Sequence, residues 1–521
     1  MIELSTDRPS NGFALMQNMI QTTRARFRPD FVWGVLIILG IVLRVRQYLV
    51  NRSFWADEAS LAFNLTTRSF SGLTQPLDYH QGAPIGFLFI EKFAVLLLGN
   101  NEYAMRLFPL LSGIIAIYLL YLLARTYIGP GGIFALLGFS VGWNLIYYSS
   151  ELKQYSSDVM IALLLVYLAS RCIREQTSAR DFLLLGISGS IAIWVSHPSV
   201  FVLAGIGLVL IFDKLTRKND VLFAWIFGIG VVWIGLFAVE YFMFLRPLAA
   251  DEYLQSYWGK AFMPLPPWSD LGWFQKTYYS MLLMSLHTYF SAVVVVSILL
   301  VIGGISLLSR NQNIALLFIL PALIVLIASS FEAYPLKDRF MLFLIPFFLL
   351  ILSEGLRGIY SIVAKWSRPL GVVVAIVPVL FLIWPPGTTP GQFFITTRGS
   401  DVRPVIQYVG ENRKPDEIVY VFHAGESAFQ YYAPLHGLNT GEVIFGPSGL
   451  RKKFVLEGFF NDVESLRGKD RVWFIFSNIY DCGDCEGDMQ QFYVDHLNEY
   501  GVMLDQVNAE RANAYLYDLN P

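Results

Sequence analysis

Long apolar runs separated by short polar segments make up most of the chain before residue 385. The runs are roughly 16 to 22 residues long, which an α-helix needs to cross about 30 Å of hydrocarbon. A shorter apolar run at 84–98 contains Glu91 and Lys92, which favours an interfacial or re-entrant helix. The pattern predicts eleven membrane-spanning helices, at about 31–49, 105–126, 133–149, 157–172, 182–196, 199–213, 221–241, 289–308, 314–331, 340–356 and 370–385.

The pattern changes after residue 385, where short apolar segments alternate with polar ones. This alternation predicts a small α/β sandwich. The chain then divides into an N-terminal cytoplasmic segment (1–30), a polytopic α-helical membrane domain (31–385) and a C-terminal soluble α/β domain (386–521). The predicted strands are 418–422, 471–476, 502–507 and 514–517, and the predicted helices are 402–412, 427–432 and 489–500.

Composition supports this division. Hydrophobic residues make up 55% of the chain and charged residues 15%, against about 25% charged residues in a typical soluble protein. The formal net charge of -2 conceals an asymmetry, because residues 385–521 hold 11 Lys and Arg against 19 Asp and Glu. Only the C-terminal part therefore resembles an ordinary solvated domain.

Lys and Arg in the short loops predict the orientation of the helices. Cytoplasmic loops carry an excess of these residues, which places the N-terminus inside and, after an odd number of spans, the C-terminal domain outside. The expected location is a bacterial inner membrane, with the C-terminal domain, the loop 50–104, the turn around Glu151 and the loop 242–288 on the periplasmic side. The predicted inner loops contain Arg24, Arg26, Arg28, Arg171, Arg174, Arg180, Lys214, Arg217, Lys218, Arg310, Arg357, Lys365 and Arg368.

Several basic residues lie on the predicted outer side, against this rule. A bound anion such as a lipid phosphate would account for Lys337 and Arg339, which share one outer turn. Arg106 opens a span and either extends to the interface or pairs with an anionic headgroup. The exceptions that need a reason are Arg44, Arg46, Arg106, Lys153, Lys337 and Arg339.

The predicted outer segments also carry the candidate chemistry. Asp57 and Glu58 directly follow Trp55 at the membrane–water boundary, where a carboxylate can act on a substrate held in the bilayer surface. The alternative is a solvated interfacial turn with Trp55 in the aromatic belt. His80 in the same loop is a ligand, a base or a solvated histidine. Glu151 and Lys153 share a short turn that is either functional or structural.

The order of these motifs resembles the GT-C superfamily of membrane glycosyltransferases, in particular the branch of protein O-mannosyltransferases and bacterial aminoarabinose and related lipid-sugar transferases. The resemblance covers roughly residues 31–385 and rests on four motifs in the right order. They are the WADEA segment at 55–59 with His80 ahead of Pro84-Ile85, the segment from Glu102 through Arg106 to Pro109, the Glu151-Leu-Lys153-Gln-Tyr155 turn, and the segment from Pro335 through Arg339 to Pro346.

The resemblance implies a sugar donor linked to a polyprenyl phosphate and a lipid, glycan or protein acceptor. Asp57 matches the catalytic acid of the family and would be the general base of an inverting transfer. Glu58, His80 and Glu151 would position the acceptor, and Glu58 and His80 would hold a divalent metal if one is used. The donor phosphate would be bound by Lys153, Arg339, Arg106 and Lys337.

Two features limit the resemblance. Gly82 and Ala83 precede Pro84, where the aminoarabinose branch has an acid–base pair; this weakens a metal site there and disfavours aminoarabinose as the sugar. A transporter or flippase, or a polymerase or ligase, of lipid-linked glycans would use the same lipids and stays an alternative. The lipid-linked donor that the resemblance implies makes a nucleotide-sugar site unnecessary, which fits the absence of a Gly-rich phosphate loop in the C-terminal domain. We expect no nucleic-acid partner.

Cys482 and Cys485 form a Cys-Gly-Asp-Cys segment in the C-terminal domain. An oxidising compartment favours a disulfide between them. Zinc binding is less favoured, because the segment supplies two of the four ligands that a structural zinc needs; two free thiols are the third possibility.

Overall fold

A computed structural model describes residues 29–217, 220–286, 293–383, 399–439, 443–447, 452–478 and 489–520. Cys482 and Cys485 lie outside these residues, so their pairing stays a prediction. The described part consists of a large helical domain followed by a smaller domain built on one β-sheet.

The helical domain contains a helix at each of the eleven predicted positions and several shorter helices between them. Seven helical segments of the described chain are long and apolar enough to cross a membrane, so the number of eleven spans stays a prediction. The helices are α1 Pro29–Leu49, α2 Ala56–Thr67, α3 Ile85–Leu98, α4 Glu102–Leu123, α5 Ile133–Val141, α6 Trp143–Tyr147, α7 Tyr155–Cys172, α8 Ala179–Val195, α9 Ser199–Arg217, α10 Asp220–Glu240, α11 Arg246–Ala249, α12 Glu252–Trp258, α13 Leu271–Leu286, α14 Val293–Arg310, α15 Gln312–Ser330, α16 Ile345–Val363 and α17 Arg368–Ile383.

The predicted span at 133–149 differs most from the structure. The backbone leaves the helical region at Gly142, with ψ of 111°, and divides the segment into α5 and α6. Elsewhere small residues bring helices close together: a Cβ added to Gly303 of α14 would lie 2.0 Å from the carbonyl oxygen of Ile351 in α16. Such close backbone contact is how helices associate in lipid, where hydrophobic burial provides little driving force.

The C-terminal domain confirms the predicted sheet. Its strands are β1 Ile418–Val421, β2 Val443–Phe445, β3 Val472–Ser477, β4 Val502–Ala509 and β5 Ala512–Asp518. The sheet order is β2-β1-β3-β5-β4, in which β1 is parallel to β2 and β3, and β5 is antiparallel to β3 and β4. The helices are α18 Arg403–Asn412, α19 Glu426–Tyr432, α20 Lys452–Ser465 and α21 Met489–Tyr500. The short edge strand β2 and helix α20 were not predicted.

The loop 50–104, the turn around Glu151 and the described part of the loop 242–288 meet in the structure. His80 Nδ1 lies 2.8 Å from Asp251 Oδ2, and Arg52 donates to the carbonyl oxygen of Ser150 at 3.0 Å. The C-terminal domain packs on the same loops, where the Phe54 amide donates to the Tyr432 hydroxyl at 2.8 Å. We call this the loop face. Whether it is the periplasmic side stays a prediction.

Glu102 ties the C-terminal domain to the helical domain. Its buried carboxylate accepts hydrogen bonds from Arg403 Nη1 at 2.6 Å and from the Tyr432 hydroxyl at 2.8 Å. The Tyr431 hydroxyl also donates to Asn100 Oδ1 at 2.7 Å. These contacts involve α4 and the residues just before it, so the C-terminal domain rests directly on the loop face.

We expect Arg403→Met to loosen the C-terminal domain by about 1–3 kcal/mol, because it leaves the buried Glu102 carboxylate without one of its donors. The measurement is the rate at which a protease releases the C-terminal domain from the purified chain. Arg467→Met is the matched control, since the Arg467–Glu464 pair is exposed. Equal proteolysis of the two variants would contradict this role of Glu102.

Candidate active site

The first turn of α2 directs two neighbouring carboxylates to different sides. Trp55 is the extended residue before the helix, and Asp57 and Glu58 follow in its first turn, where the partial positive charge of the helix N-terminus favours anions. Successive residues on an α-helix point about 100° apart. Glu58 therefore faces the protein interior, while Asp57 is partly exposed on the loop face.

Glu58 is the centre of a buried ionic network. Its Oε1 accepts from Arg106 Nε and from the Leu152 amide, both at 2.8 Å, and its Oε2 accepts from Arg106 Nη2 at 2.8 Å and Arg52 Nη1 at 2.5 Å. Burial alone would raise the pKa of Glu58, but the guanidinium groups of Arg106 and Arg52 outweigh it and lower that pKa to about 2. The residue is a fully ionised structural anchor.

This network argues against two of the predicted roles. Both Glu58 oxygens are already occupied by donors, so the carboxylate is not available to position an acceptor or a metal. Arg106 is 2% exposed and also donates to the carbonyl oxygens of Arg52 and Ser53, so it is not available to a phosphate. Arg44 is buried as well and donates to the Phe139 carbonyl oxygen at 3.1 Å. These two cations, predicted to lie on the outer side, therefore have protein partners.

Asp57 forms the ion pair that unites the predicted motifs. Its Oδ2 lies 2.5 Å from Arg339 Nη2, across 282 positions of sequence. Aromatic rings surround the guanidinium, whose Cζ lies 5.3 Å from the ring centroid of Trp55, 5.6 Å from that of Tyr155 and 5.9 Å from that of Trp258. Cation–π contacts of this kind hold a guanidinium in one place.

Glu151 and Lys153 lie beneath this pair. The Lys153 ammonium is buried, donates to Gln81 Oε1 at 2.6 Å, and has its pKa lowered by burial. Glu151 is fully buried, and its carboxylate accepts no hydrogen bond from the described residues. Burial raises the pKa of Glu151 to about 7, with a further contribution from Glu58. The structure thus brings Asp57, Glu151, Lys153 and Arg339 together, as the sequence predicted, without testing their roles.

His80 lies apart from Glu58. Its ring stacks on that of Tyr253 at a centroid distance of 4.5 Å and pairs with Asp251. The part of the chain that the structure describes contains no group of three His, Cys, Asp or Glu side chains placed to hold a metal ion. The predicted pairing of His80 with Glu58 at a metal is therefore not assembled by these residues.

Lys337 is exposed and lines a cavity of about 920 Å³ beside the ion pair. Lys260 and Lys276 line the same cavity, as do Asp270, Glu332 and Asp338. The next residue, Asp338, accepts a hydrogen bond from the Ser280 hydroxyl at 2.8 Å and separates Lys337 from Arg339. The two cations of this turn consequently face different environments.

Three site residues were missed in the sequence. Asp251, Tyr253 and Trp258 come from α12 and its N-terminal flank, within the loop 242–288. The sequence did contain a clue to these residues, since aromatic residues are dense around 253–258. None of the family motifs includes them.

Comparisons with known proteins agree with the resemblance that the sequence predicts. Residues 82–241, just under a third of the chain, match the family model described as dolichyl-phosphate-mannose-protein mannosyltransferase. The crystal structure of ArnT from Cupriavidus metallidurans bound to undecaprenyl phosphate matches with a TM-score of 0.53 at 13% identity, over 93% of this chain and 98% of that chain. The predicted resemblance to GT-C membrane glycosyltransferases is confirmed.

A second solved structure is similar at a lower TM-score. The archaeal oligosaccharyltransferase AglB from Archaeoglobus fulgidus, in complex with an inhibitory peptide and a dolichol-phosphate, matches with a TM-score of 0.45 at 12% identity, over 93% of this chain and 74% of that chain. No curated protein matches the sequence at a significant level. Asp57 and Arg339 lie outside the matched span 82–241, so their roles rest on geometry.

We expect Glu58→Gln to lower stability by about 3–5 kcal/mol, because it leaves the buried charges of Arg52 and Arg106 uncompensated. The measurement is thermal unfolding of the purified chain. Asp78→Asn is the control, since Asp78 pairs with Arg68 at the surface of the same loop. If the Glu58→Gln variant were inactive but as stable as the wild type, Glu58 would have a chemical role and not a structural one.

We expect Glu151→Gln to remove a pH-dependent loss of stability. The folded carboxyl titrates near pH 7 and an unfolded one at about 4.3. Between these values the unfolded chain releases a proton that the folded chain keeps, so rising pH favours unfolding, by up to about 4 kcal/mol above pH 7. Thermal unfolding from pH 4.5 to 7.5 should show a smaller loss in the variant. The exposed Asp416→Asn is the control, and parallel pH profiles for Glu151→Gln and wild type would contradict the assignment.

Proposed function

We propose that this protein transfers a sugar from a polyprenyl-phosphate donor to an acceptor hydroxyl at the loop face. The observation that carries the proposal is the ion pair between Asp57 and Arg339. This pair brings the first and the last of the predicted motifs together, next to Lys153 and Glu151. The GT-C fold and the match to a lipid-phosphate-sugar transferase family support it.

In the proposed reaction Asp57 is the general base. It accepts the proton of the acceptor hydroxyl, whose oxygen attacks the anomeric carbon of the donor sugar. The bond from that carbon to the phosphate oxygen breaks, and its electron pair leaves with the polyprenyl phosphate. A single displacement inverts the anomeric centre and needs no covalent sugar–enzyme intermediate.

Arg339 has two roles in this proposal. It neutralises the charge that develops on the departing phosphate, as a preorganised cation does, and without substrate it holds the Asp57 carboxylate. A donor phosphate competes with Asp57 for the same guanidinium. Donor binding would therefore free the base, and Asp57 would be available when the leaving group is in place.

The lysines supply further positive charge. Lys153 is held by Gln81 beside the ion pair, and Lys337 lines the neighbouring cavity with Lys260 and Lys276. Asp270, Glu332 and Asp338 line the same cavity, so its lining carries no net positive charge. The ammonium groups would therefore act on a donor phosphate by direct pairing rather than by long-range attraction. The residues proposed to bind the donor phosphate are therefore Lys153, Lys337 and Arg339, without Arg106.

We expect Asp57→Asn to lower turnover by about 10²–10⁴-fold, the typical contribution of a general base, with little change in thermal unfolding. The measurement is the release of polyprenyl phosphate from a panel of polyprenyl-phosphate sugars by membranes that contain the chain. Asp78→Asn, in an exposed pair of the same loop, is the control. Full activity of Asp57→Asn would remove the catalytic assignment, whereas transport of the donor without its cleavage would favour a flippase.

A further inference from the structure

Four rings form a continuous row on the loop face: His80, Tyr253, Tyr257 and Trp258, which we call the aromatic row. The rings of His80 and Tyr253 are stacked with 4.5 Å between centroids and 19° between planes. Those of Tyr253 and Tyr257 are nearly parallel, at 6.1 Å and 12°, and Tyr257 meets Trp258 edge to face at 4.9 Å. Tyr253 and Tyr257 lie one turn apart on α12.

The row ends at the proposed catalytic pair. The ring of Trp258 lies 5.9 Å from the Arg339 guanidinium that binds Asp57. At the middle of the row, burial and then the neighbouring Tyr257 and Asp57 raise the pKa of the Tyr253 phenol, so the Asp57 carboxylate lies within electrostatic reach. A molecule lying along the row would have one end at Asp57.

The row has both apolar and polar components. Tyr253 is 40% exposed and Tyr257 60% exposed, so part of each side chain is open to solvent although α12 is ordered by its own cap at Asp251. Asp251 also holds His80, which adds a carboxylate and an imidazole to the edge of the rings. An exposed aromatic surface bordered by polar groups marks a binding site.

We propose that the aromatic row binds a carbohydrate acceptor of at least two sugar units. A sugar ring has an apolar C–H face that packs on aromatic rings and a rim of hydroxyl groups that pair with carboxylates and imidazoles. The row extends over several ring widths and therefore fits a short glycan better than a single sugar. This inference rests on the proposed function, because it assigns the row to the acceptor side of that reaction.

The cavity adjoins the row. It begins at Gly259, directly after Trp258, and is lined by Lys260, Lys276 and Lys337 together with Asp270, Glu332 and Asp338. The row offers aromatic rings to a neutral glycan, whereas the cavity offers ammonium groups that can pair with a lipid phosphate. Arg339, between the two, is where acceptor hydroxyl and leaving phosphate would meet.

The test is glycan binding by the full chain in lipid nanodiscs, measured on an array of hexose, N-acetylhexosamine and pentose oligosaccharides. We expect Tyr257→Ala to weaken binding about tenfold or more through loss of the stacking face. Tyr257→Phe keeps the ring and should bind as the wild type does. Trp268→Ala is the matched control, because Trp268 is a 76% exposed aromatic residue of the same loop outside the row.

The outcomes separate this inference from the proposed function. Glycan binding that is lost in Tyr257→Ala and kept in Tyr257→Phe and Trp268→Ala supports the row, and Asp57→Asn should bind the same glycans without turning them over. Absence of glycan binding by the wild type, or equal binding by Tyr257→Ala, overturns the row. Equal losses in Tyr257→Ala and Trp268→Ala would also overturn it, since they indicate that the rings anchor the loop in lipid. Full turnover by Asp57→Asn would overturn the proposed function and leave the binding result intact.

Discussion

The buried carboxylate of Glu58 holds together the three segments on which the site depends. It pairs with Arg52 after α1 and Arg106 in α4, and it accepts the amide of Leu152 from the turn before α7. Removing one partner from such a network leaves an uncompensated buried charge, which is far more costly than losing a surface pair. Because Glu58 is locked, the neighbouring Asp57 is aimed away from the interior and toward Arg339.

The C-terminal domain also supports α2, the helix that carries Asp57 and Glu58. The Tyr432 hydroxyl accepts the amide of Phe54, and the Ser427 hydroxyl donates to the carbonyl oxygen of Ala56 at 3.3 Å. These contacts lie at and just before the start of α2, three residues and one residue from Asp57. The domain therefore takes part in placing the proposed base, which the sequence did not indicate. Precise placement of a catalytic group requires support of this kind.

The predicted site was partly recovered because its motifs keep their order along the chain. Asp57 and Arg339 meet as expected, and Lys153 and Glu151 lie beside them. Arg106 carries the same charge as Arg339, yet burial commits it to Glu58. Charge and position in the sequence do not distinguish a cation that binds a ligand from one that binds its own protein. The aromatic row was not predicted, because its residues belong to none of the family motifs.

The sequence by itself determined the position of the long apolar helices of the membrane domain, four of the five described strands of the C-terminal sheet and the residue types available for chemistry. Hydrophobic periodicity carries this information, because the transfer of each segment out of water depends mainly on its own residues. Only the tertiary structure decided that Glu58 is an anchor while Asp57 pairs with Arg339, that His80 faces Tyr253, and that the C-terminal domain supports α2. The free energy of a charge depends on its burial and on partners within a few ångströms, which distant parts of the chain supply.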